Sequence, residues 1–123
     1  MITKEVTICG KPVTLAYSYR AEIKYKELSD EDIFVFIQEI IEKIQDEQMP
    51  DIKRSICLIM ASINAYYKGK DEPITAEELK DDLSPNECGV VLGTILGLRS
   101  QFYHVPSDEP KDKPDEGKKE KND

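Results

Sequence analysis

The sequence predicts a mainly α-helical domain with a small N-terminal β-hairpin and a disordered, charged C-terminal tail. Three observations lead to this prediction: a short period-two alternation at the start, apolar residues at helical spacing through the middle, and a final stretch almost without apolar residues. We expect a bundle of about four to five helices in one domain over residues 1–104. A tail over residues 105–123 is expected to follow it.

The N-terminal alternation forms two short runs separated by a turn. Residues 6–9 and 13–16 each alternate aliphatic with small or polar side chains, and Gly10, Lys11 and Pro12 lie between them. This pattern is typical of a β-hairpin. Because Pro12 has no amide hydrogen to donate, we expect it in the turn or on an edge. A lone hairpin is marginally stable in water, so its apolar side is expected to pack on the helices.

Capping residues divide the rest of the domain into helices. Ser18 is a candidate N-cap for the first helix, and Ser29, which acidic residues follow, for the second. The pair Met49-Pro50 ends the second helix, and Asp51 can cap the third.

Two later helix starts carry the spacing of a capping box. Thr75 is followed by Glu78, and Ser84 is followed by Glu87, three residues on in each case. The last helix then continues to about Phe102 and is apolar almost all round. We therefore expect it to be the central and most buried helix.

The tail and the overall charge limit the function classes. From Val105 to Asp123 there are seven acidic residues, five basic residues, three prolines and one aliphatic residue, so this segment cannot bury enough apolar surface to become ordered. The whole chain has a net charge of −8, which disfavours binding to nucleic acid or to an anionic membrane.

Localisation is predicted from the cysteines and from the apolar segments. Cys9, Cys57 and Cys88 are odd in number and widely spaced, which fits a reducing compartment. We find no signal-peptide pattern, and the most apolar stretches are too short to span a bilayer. The expected location is the cytoplasm.

Catalysis is not expected. The only histidine, His104, stands beside the tail without a nucleophile motif, and no Gly-rich phosphate loop follows a strand. The carboxylates lie in solvated runs, where helix capping and surface roles explain them. We predict no catalytic residue, no cofactor and no metal site, and a protein that is not an enzyme.

Glycines in the last helix form the first candidate binding surface. Gly89, Gly93 and Gly97 follow one another at four-residue intervals, and each costs a helix about 1 kcal/mol relative to alanine. The favoured interpretation is close packing of another element of the same chain against this ridge. Contact with a partner chain is the alternative.

Tyrosines near the N-terminus form the second candidate surface. Tyr17, Tyr19 and Tyr25 can bury a ring while their hydroxyl groups stay in water, which suits an interface. The same residues are ordinary at the rim of a small core. The rim is the default interpretation, and partner contact is the alternative.

The order of these elements resembles that of a known family. The resemblance rests on the string VTICGKPVTL at residues 6–15, on the Tyr-containing helix with Glu22, and on the string LRSQFY at residues 98–103. In these features residues 5–104 resemble the small tail assembly chaperones of long-tailed phages and prophages. Such proteins open with a hairpin of the form x-Gly-Lys-x-Tyr/Val-x-Leu, continue as a helical bundle and end in a charged segment.

The resemblance implies a function and two partners. A tail assembly chaperone binds and solubilises the tape measure protein and recruits tail tube subunits to it, in the host cytoplasm during phage assembly. A longer minority product often arises by programmed frameshifting, and the codons of Lys118 and Lys119 would allow a slippery string. A homo-oligomer is compatible with the family.

Two other classes of function remain open. One is a small acidic regulatory domain that binds a protein, for example a phage-borne inhibitor or a DNA mimic, which the charge of −8 would suit. The other is a structural tail component, although such proteins are usually richer in strands.

Overall fold

The computed structural model describes residues 1–104, and these form two strands and five helices. The predicted fold class, mainly α with an N-terminal β-hairpin, is confirmed. The predicted disorder of residues 105–123 lies outside the described residues. The elements are β1 (Ile2–Ile8), β2 (Lys11–Tyr17), α1 (Tyr19–Ser29), α2 (Ile33–Gln45), α3 (Ile52–Tyr67), α4 (Ala76–Asp82) and α5 (Pro85–Tyr103).

The hairpin turn is tighter than the sequence indicated. Ile8 pairs with Lys11, so the turn consists of Cys9 and Gly10 alone, with φ of 51° and 80°. Positive φ at both positions matches the two-residue turn that suits the twist of antiparallel strands. Pro12 lies in β2 and pairs with Thr7, next to the closing pair of Ile8 and Lys11. Hydrogen-bonded and non-hydrogen-bonded pairs alternate along an antiparallel ladder, so Pro12 occupies a non-hydrogen-bonded position and its missing amide hydrogen costs the ladder no bond.

The central helix is α3, not α5 as the sequence suggested. Eight residues of α3 are buried, and α3 packs against α1 and β2. One side of α5 is buried through residues such as Val91, Leu92 and Ile95, while Val90 remains 63% exposed. The prediction was wrong because the apolar residues of α5 do not all face the core: Leu96 is only half-buried, and the open side of the helix carries glycines, which have no side chain to bury.

Local capping chemistry places most helix starts as predicted. The side chains of four predicted N-caps accept amide hydrogen bonds at the start of α1, α3, α4 and α5: Ser18, Asp51, Thr75 and Ser84. Ser29 is not an N-cap, because it is the last residue of α1. Asp30 is the C-cap of this helix and has a φ of 63°. Asp32 caps α2 instead, accepting a hydrogen bond from the amide of Phe34 at 3.1 Å.

The second capping box is only half formed. Ser84 Oγ accepts the amide hydrogen of Glu87 at 3.1 Å, as a capping box requires. The Glu87 carboxylate, however, accepts a hydrogen bond from the Cys9 amide at 2.8 Å. This contact joins the hairpin turn to the start of α5.

A charged cluster joins the first three helices. Arg54 in α3 donates to both carboxylate oxygens of Glu31 at 2.8 and 3.1 Å, and to Glu39 in α2 at 2.5 Å. Its guanidinium also lies 4.6 Å from the ring centroid of Phe36. Partial burial alone would raise the pKa of Glu31, but hydrogen bonds from Arg54 and Tyr25 outweigh it, and the pKa lies below its usual value.

Candidate protein-binding surfaces

Two of the three candidate tyrosines belong to the core. The side chains of Tyr17 and Tyr25 are fully buried, and their hydroxyl groups donate to Glu22 and Glu31 at 2.8 and 2.6 Å. Burial, followed by these hydrogen bonds, raises the pKa of both phenols. Partner contact by Tyr17 or Tyr25 is therefore a wrong prediction for this fold, since neither ring reaches the surface.

Tyr19 lies in an exposed aromatic cluster. Its side chain is 63% exposed, while its ring meets Phe102 edge-on at a centroid distance of 5.2 Å. Tyr103 packs beside Phe102 and donates a hydrogen bond to Glu22, which also accepts the hydroxyl of Tyr17. The cluster holds the end of α5 against the start of α1. Contact between Tyr19 and a partner stays a prediction.

The glycine face of α5, defined as Gly89, Gly93 and Gly97, is open. A Cβ atom built at any of the three positions would meet no heavy atom within 4 Å outside its own stretch of helix. The favoured interpretation, close packing of another element of the chain on this ridge, is therefore wrong. Exposed Val90 lies beside the glycines, and Met49 and Pro85 form a shallow hollow with Gly89 and Val90.

A groove that the sequence analysis did not identify lies over α3. Its volume is about 720 Å³, and α1 and α4 contribute residues on either side of the α3 residues. The groove is largely apolar, and several of its side chains are more than two-fifths exposed, including Leu28 and Ile52. Its apolar lining consists of Leu28, Ile52, Ile56, Cys57, Met60 and Ala76.

Three lysines line the groove, one from each helix. Lys24 belongs to α1, Lys53 to α3 and Lys80 to α4. Lys24 and Lys80 each have an acidic neighbour three residues away on their own helix, at 3.5 and 2.9 Å. Such exposed pairs are weak, so the ammonium groups can turn towards another anion. Among residues 1–104, Lys53 has no ion pair.

The groove continues along α1 as a narrower trough. This trough is lined by Arg20, Ile23 and Glu27, and it shares Lys24 and Asn64 with the groove. Ile23 is 60% exposed, so the apolar surface extends beyond the main groove. At 1.5 Å per residue, the part of α1 between Arg20 and Leu28 is about 12 Å long, or just over two helical turns.

The three cysteines have different environments. Cys88 is fully buried, as expected of a small core residue, whereas Cys57 is half-buried and lines the groove. The Sγ of Cys57 lies at the groove wall, 3.9 Å from the carbonyl oxygen of Leu28. Burial raises the pKa of both thiols. Cys57 is therefore a native reporter of groove occupancy.

Within residues 1–104, no three histidine, cysteine or acidic residues are grouped so that they could hold a metal ion. In the same range, no helix combines the length and hydropathy needed to cross a membrane.

The chain was compared with protein-family models, curated proteins and solved structures. No protein-family model, curated protein or solved structure matches the chain.

Proposed function

We propose that this protein is a phage tail assembly chaperone, which binds the tape measure protein, keeps it soluble and recruits tail tube subunits to it. It acts in the cytoplasm of the host cell during phage assembly. The resemblance of residues 5–104 to that family motivates the proposal. The structural observation that supports it is the apolar groove over α3.

A chaperone for a long helical protein needs a concave apolar surface. Amphipathic helices bind by placing their apolar face into a hydrophobic groove, with anchors one helical turn apart. The groove offers this surface between α1 and α4, with Ile56 and Met60 on α3 one turn apart. The net charge of −8 would keep such complexes apart from one another in solution.

Recruitment of a second protein requires a second surface. The glycine face of α5 is open and shares no residue with the groove. Small residues allow a close approach of a partner backbone. The tail tube subunit is the partner that we assign to the glycine face.

The alternative function, a small acidic regulatory domain such as a DNA mimic, gains less support from the structure. A DNA mimic presents free carboxylates on one face in the manner of phosphates. Several acidic side chains of this domain instead hold internal hydrogen bonds, among them Glu22, Glu31, Glu39 and Glu87. No observation on the described residues favours a DNA mimic over a protein-binding chaperone.

Co-expression with the tape measure protein, whose gene the resemblance places just downstream, tests the proposal. With a tag on the chaperone, we expect the downstream protein to move into the soluble fraction and to co-purify with several copies of the chaperone. An unrelated acidic helical protein of similar size is the control. If the downstream protein stays insoluble with either co-expressed protein, the proposed function is wrong.

A further inference from the structure

We infer that the groove over α3 binds an amphipathic α-helix whose apolar stripe is flanked by acidic residues. The inference rests on the proposed function in one respect, because that function supplies a helical client. It adds the chemistry by which the client is chosen. Three observations support the inference: the shape of the groove, the placement of its lysines, and the composition of the C-terminal tail.

The shape of the groove matches a helix of two to three turns. Ile52, Ile56 and Met60 line it at four-residue intervals along α3, a length of about 12 Å. Ridges with this spacing are the surface against which another helix packs. Leu28 on α1 and Ala76 on α4 complete the apolar lining on either side.

The charged residues that line the groove are mainly basic, unlike those of the chain as a whole. The chain has 25 acidic and 17 basic residues, yet the polar lining of the groove includes Lys24, Lys53 and Lys80 and a single acidic residue, Glu72. Glu72 accepts a hydrogen bond from Asn64 at 3.2 Å. Since the lysines come from three different helices, acidic residues along a bound helix would meet positive charge at several points. Basic residues there would meet like charge.

The C-terminal tail of the chain is a poor occupant. Residues 105–123 contain one aliphatic residue, Val105, and therefore cannot supply an apolar stripe. A helix of another protein is the occupant that fits both the apolar lining and the lysines.

Binding of two synthetic peptides to the full-length protein tests the inference. Both peptides are 18-residue helices with the same leucine stripe, flanked by glutamates in one and by lysines in the other. By fluorescence anisotropy at low salt, we expect the glutamate peptide to bind at least about tenfold more tightly, with the difference shrinking at high salt. Equal affinity for the two peptides would overturn the inference.

Charge reversal provides the matched control. The variant Lys24→Glu/Lys53→Glu/Lys80→Glu is expected to prefer the lysine peptide. A second triple variant, in which Lys4, Lys26 and Lys43 outside the groove are changed to glutamate, has the same net charge and is expected to keep the original preference. If both triple variants change preference alike, the overall charge selects the peptide, and the inference is wrong.

Protection of Cys57 locates the bound helix. In a Cys9→Ser background, the glutamate peptide is expected to slow alkylation of Cys57 at least about fivefold. An unchanged alkylation rate at saturating peptide overturns the inference.

Two other occupants of the groove would also overturn the inference. One is a second copy of the chain, which would show as a dimer of the wild type that dissociates in the Leu28→Gln/Ile52→Gln variant. The other is a fatty acid, which would show as laurate that binds in the groove and displaces the peptide at equal concentration.

Failure of the inference can be distinguished from failure of the proposed function. If the peptides behave as expected but the downstream protein is not captured, the inference stands and the tail chaperone proposal fails. If the downstream protein is captured equally well by the wild type and by the groove triple variant, the inference fails and the chaperone proposal stands.

Discussion

The hydroxyl of Ser62 in α3 forms two hydrogen bonds with one residue of β2: it accepts the amide hydrogen of Ala16 at 3.1 Å and donates to the Ala16 carbonyl at 2.9 Å. Two residues earlier in β2, the Thr14 amide donates to the hydroxyl of Tyr67 at 3.1 Å. Side chains of α3 thus take the place of a third strand along the outer edge of β2. The hairpin is thereby held on the central helix of the domain.

Removal of the Ser62 hydroxyl should be costly. Ser62→Ala leaves the buried amide and carbonyl of Ala16 without these partners, and we expect a loss of about 2 kcal/mol in the free energy of unfolding, measured by urea denaturation. Ser55, the other buried serine of α3, is the control. Its hydroxyl donates to the Asp51 carbonyl, which already accepts the Ser55 amide, so Ser55→Ala should cost less than about 1 kcal/mol. Equal losses would contradict the role given to Ser62.

The open glycine face predicts an unusual gain in stability. Gly93→Ala should raise the free energy of unfolding by about 1 kcal/mol, because the added methyl group meets nothing and alanine favours the helix. Gly10→Ala, at a φ of 80°, should lower it by about 1–2 kcal/mol. If Gly93→Ala were destabilising, the face would be packed in solution.

The same face also has a binding test. Gly93→Leu places a larger side chain in the open space and should abolish capture of the tail tube subunit without lowering the melting temperature. Capture that survives in a fully folded Gly93→Leu variant would exclude this face as the binding surface.

The Arg54–Glu31 pair predicts a specific dependence of stability on pH. Since the pKa of Glu31 is lower in the folded state, its carboxylate stabilises the fold above the unfolded pKa of about 4.3. That contribution is lost as the pH falls through the folded pKa. The difference in unfolding free energy between the wild type and Glu31→Gln should therefore be largest near pH 7 and shrink below about pH 4. Urea denaturation at four pH values measures it. A difference that does not change with pH would contradict this role of Glu31.

The cysteine environments predict the order of alkylation in the native protein. Cys88 is fully buried and should react only after unfolding, whereas Cys9 and Cys57 are partly exposed and should react in the folded state. Burial raises the pKa of all three thiols, so the rates for Cys9 and Cys57 should increase steeply with pH. Mass spectrometry after timed iodoacetamide treatment identifies the modified residues. Reaction of Cys88 at the rate of Cys57 would mean that the core opens readily.

Much of the fold could be predicted from local chemistry. Thr75 and Glu78 form the predicted capping box because every atom involved lies within one helical turn. The hairpin was likewise predictable from its alternation and from Gly10. The second helix start was misplaced because Ser29 and Asp32 both have capping side chains, and the left-handed backbone of Asp30 between them decides the outcome.

The candidate site was much less predictable, because its residues meet only in the folded chain. Lys24, Lys53 and Lys80 are far apart in sequence, and the period of each helix taken alone marks them as ordinary surface residues. Glu87 is similar: its partner, the Cys9 amide, is 78 residues away. One signal was available in the sequence: Ile23 is apolar although the helical period places it on the side of α1 opposite Ala21 and Tyr25.

Capture of the downstream helical protein by groove variants tests the central claim most directly. Leu28 and Ile52 are 44% and 52% exposed in the groove, and Val35, which does not line it, is 55% exposed on α2. Glutamine at these positions should therefore leave the fold intact. We predict that Leu28→Gln/Ile52→Gln reduces the amount of co-purified protein at least about tenfold, while Val35→Gln captures it like the wild type. Full capture by a folded Leu28→Gln/Ile52→Gln variant would contradict the claim that the groove holds the client.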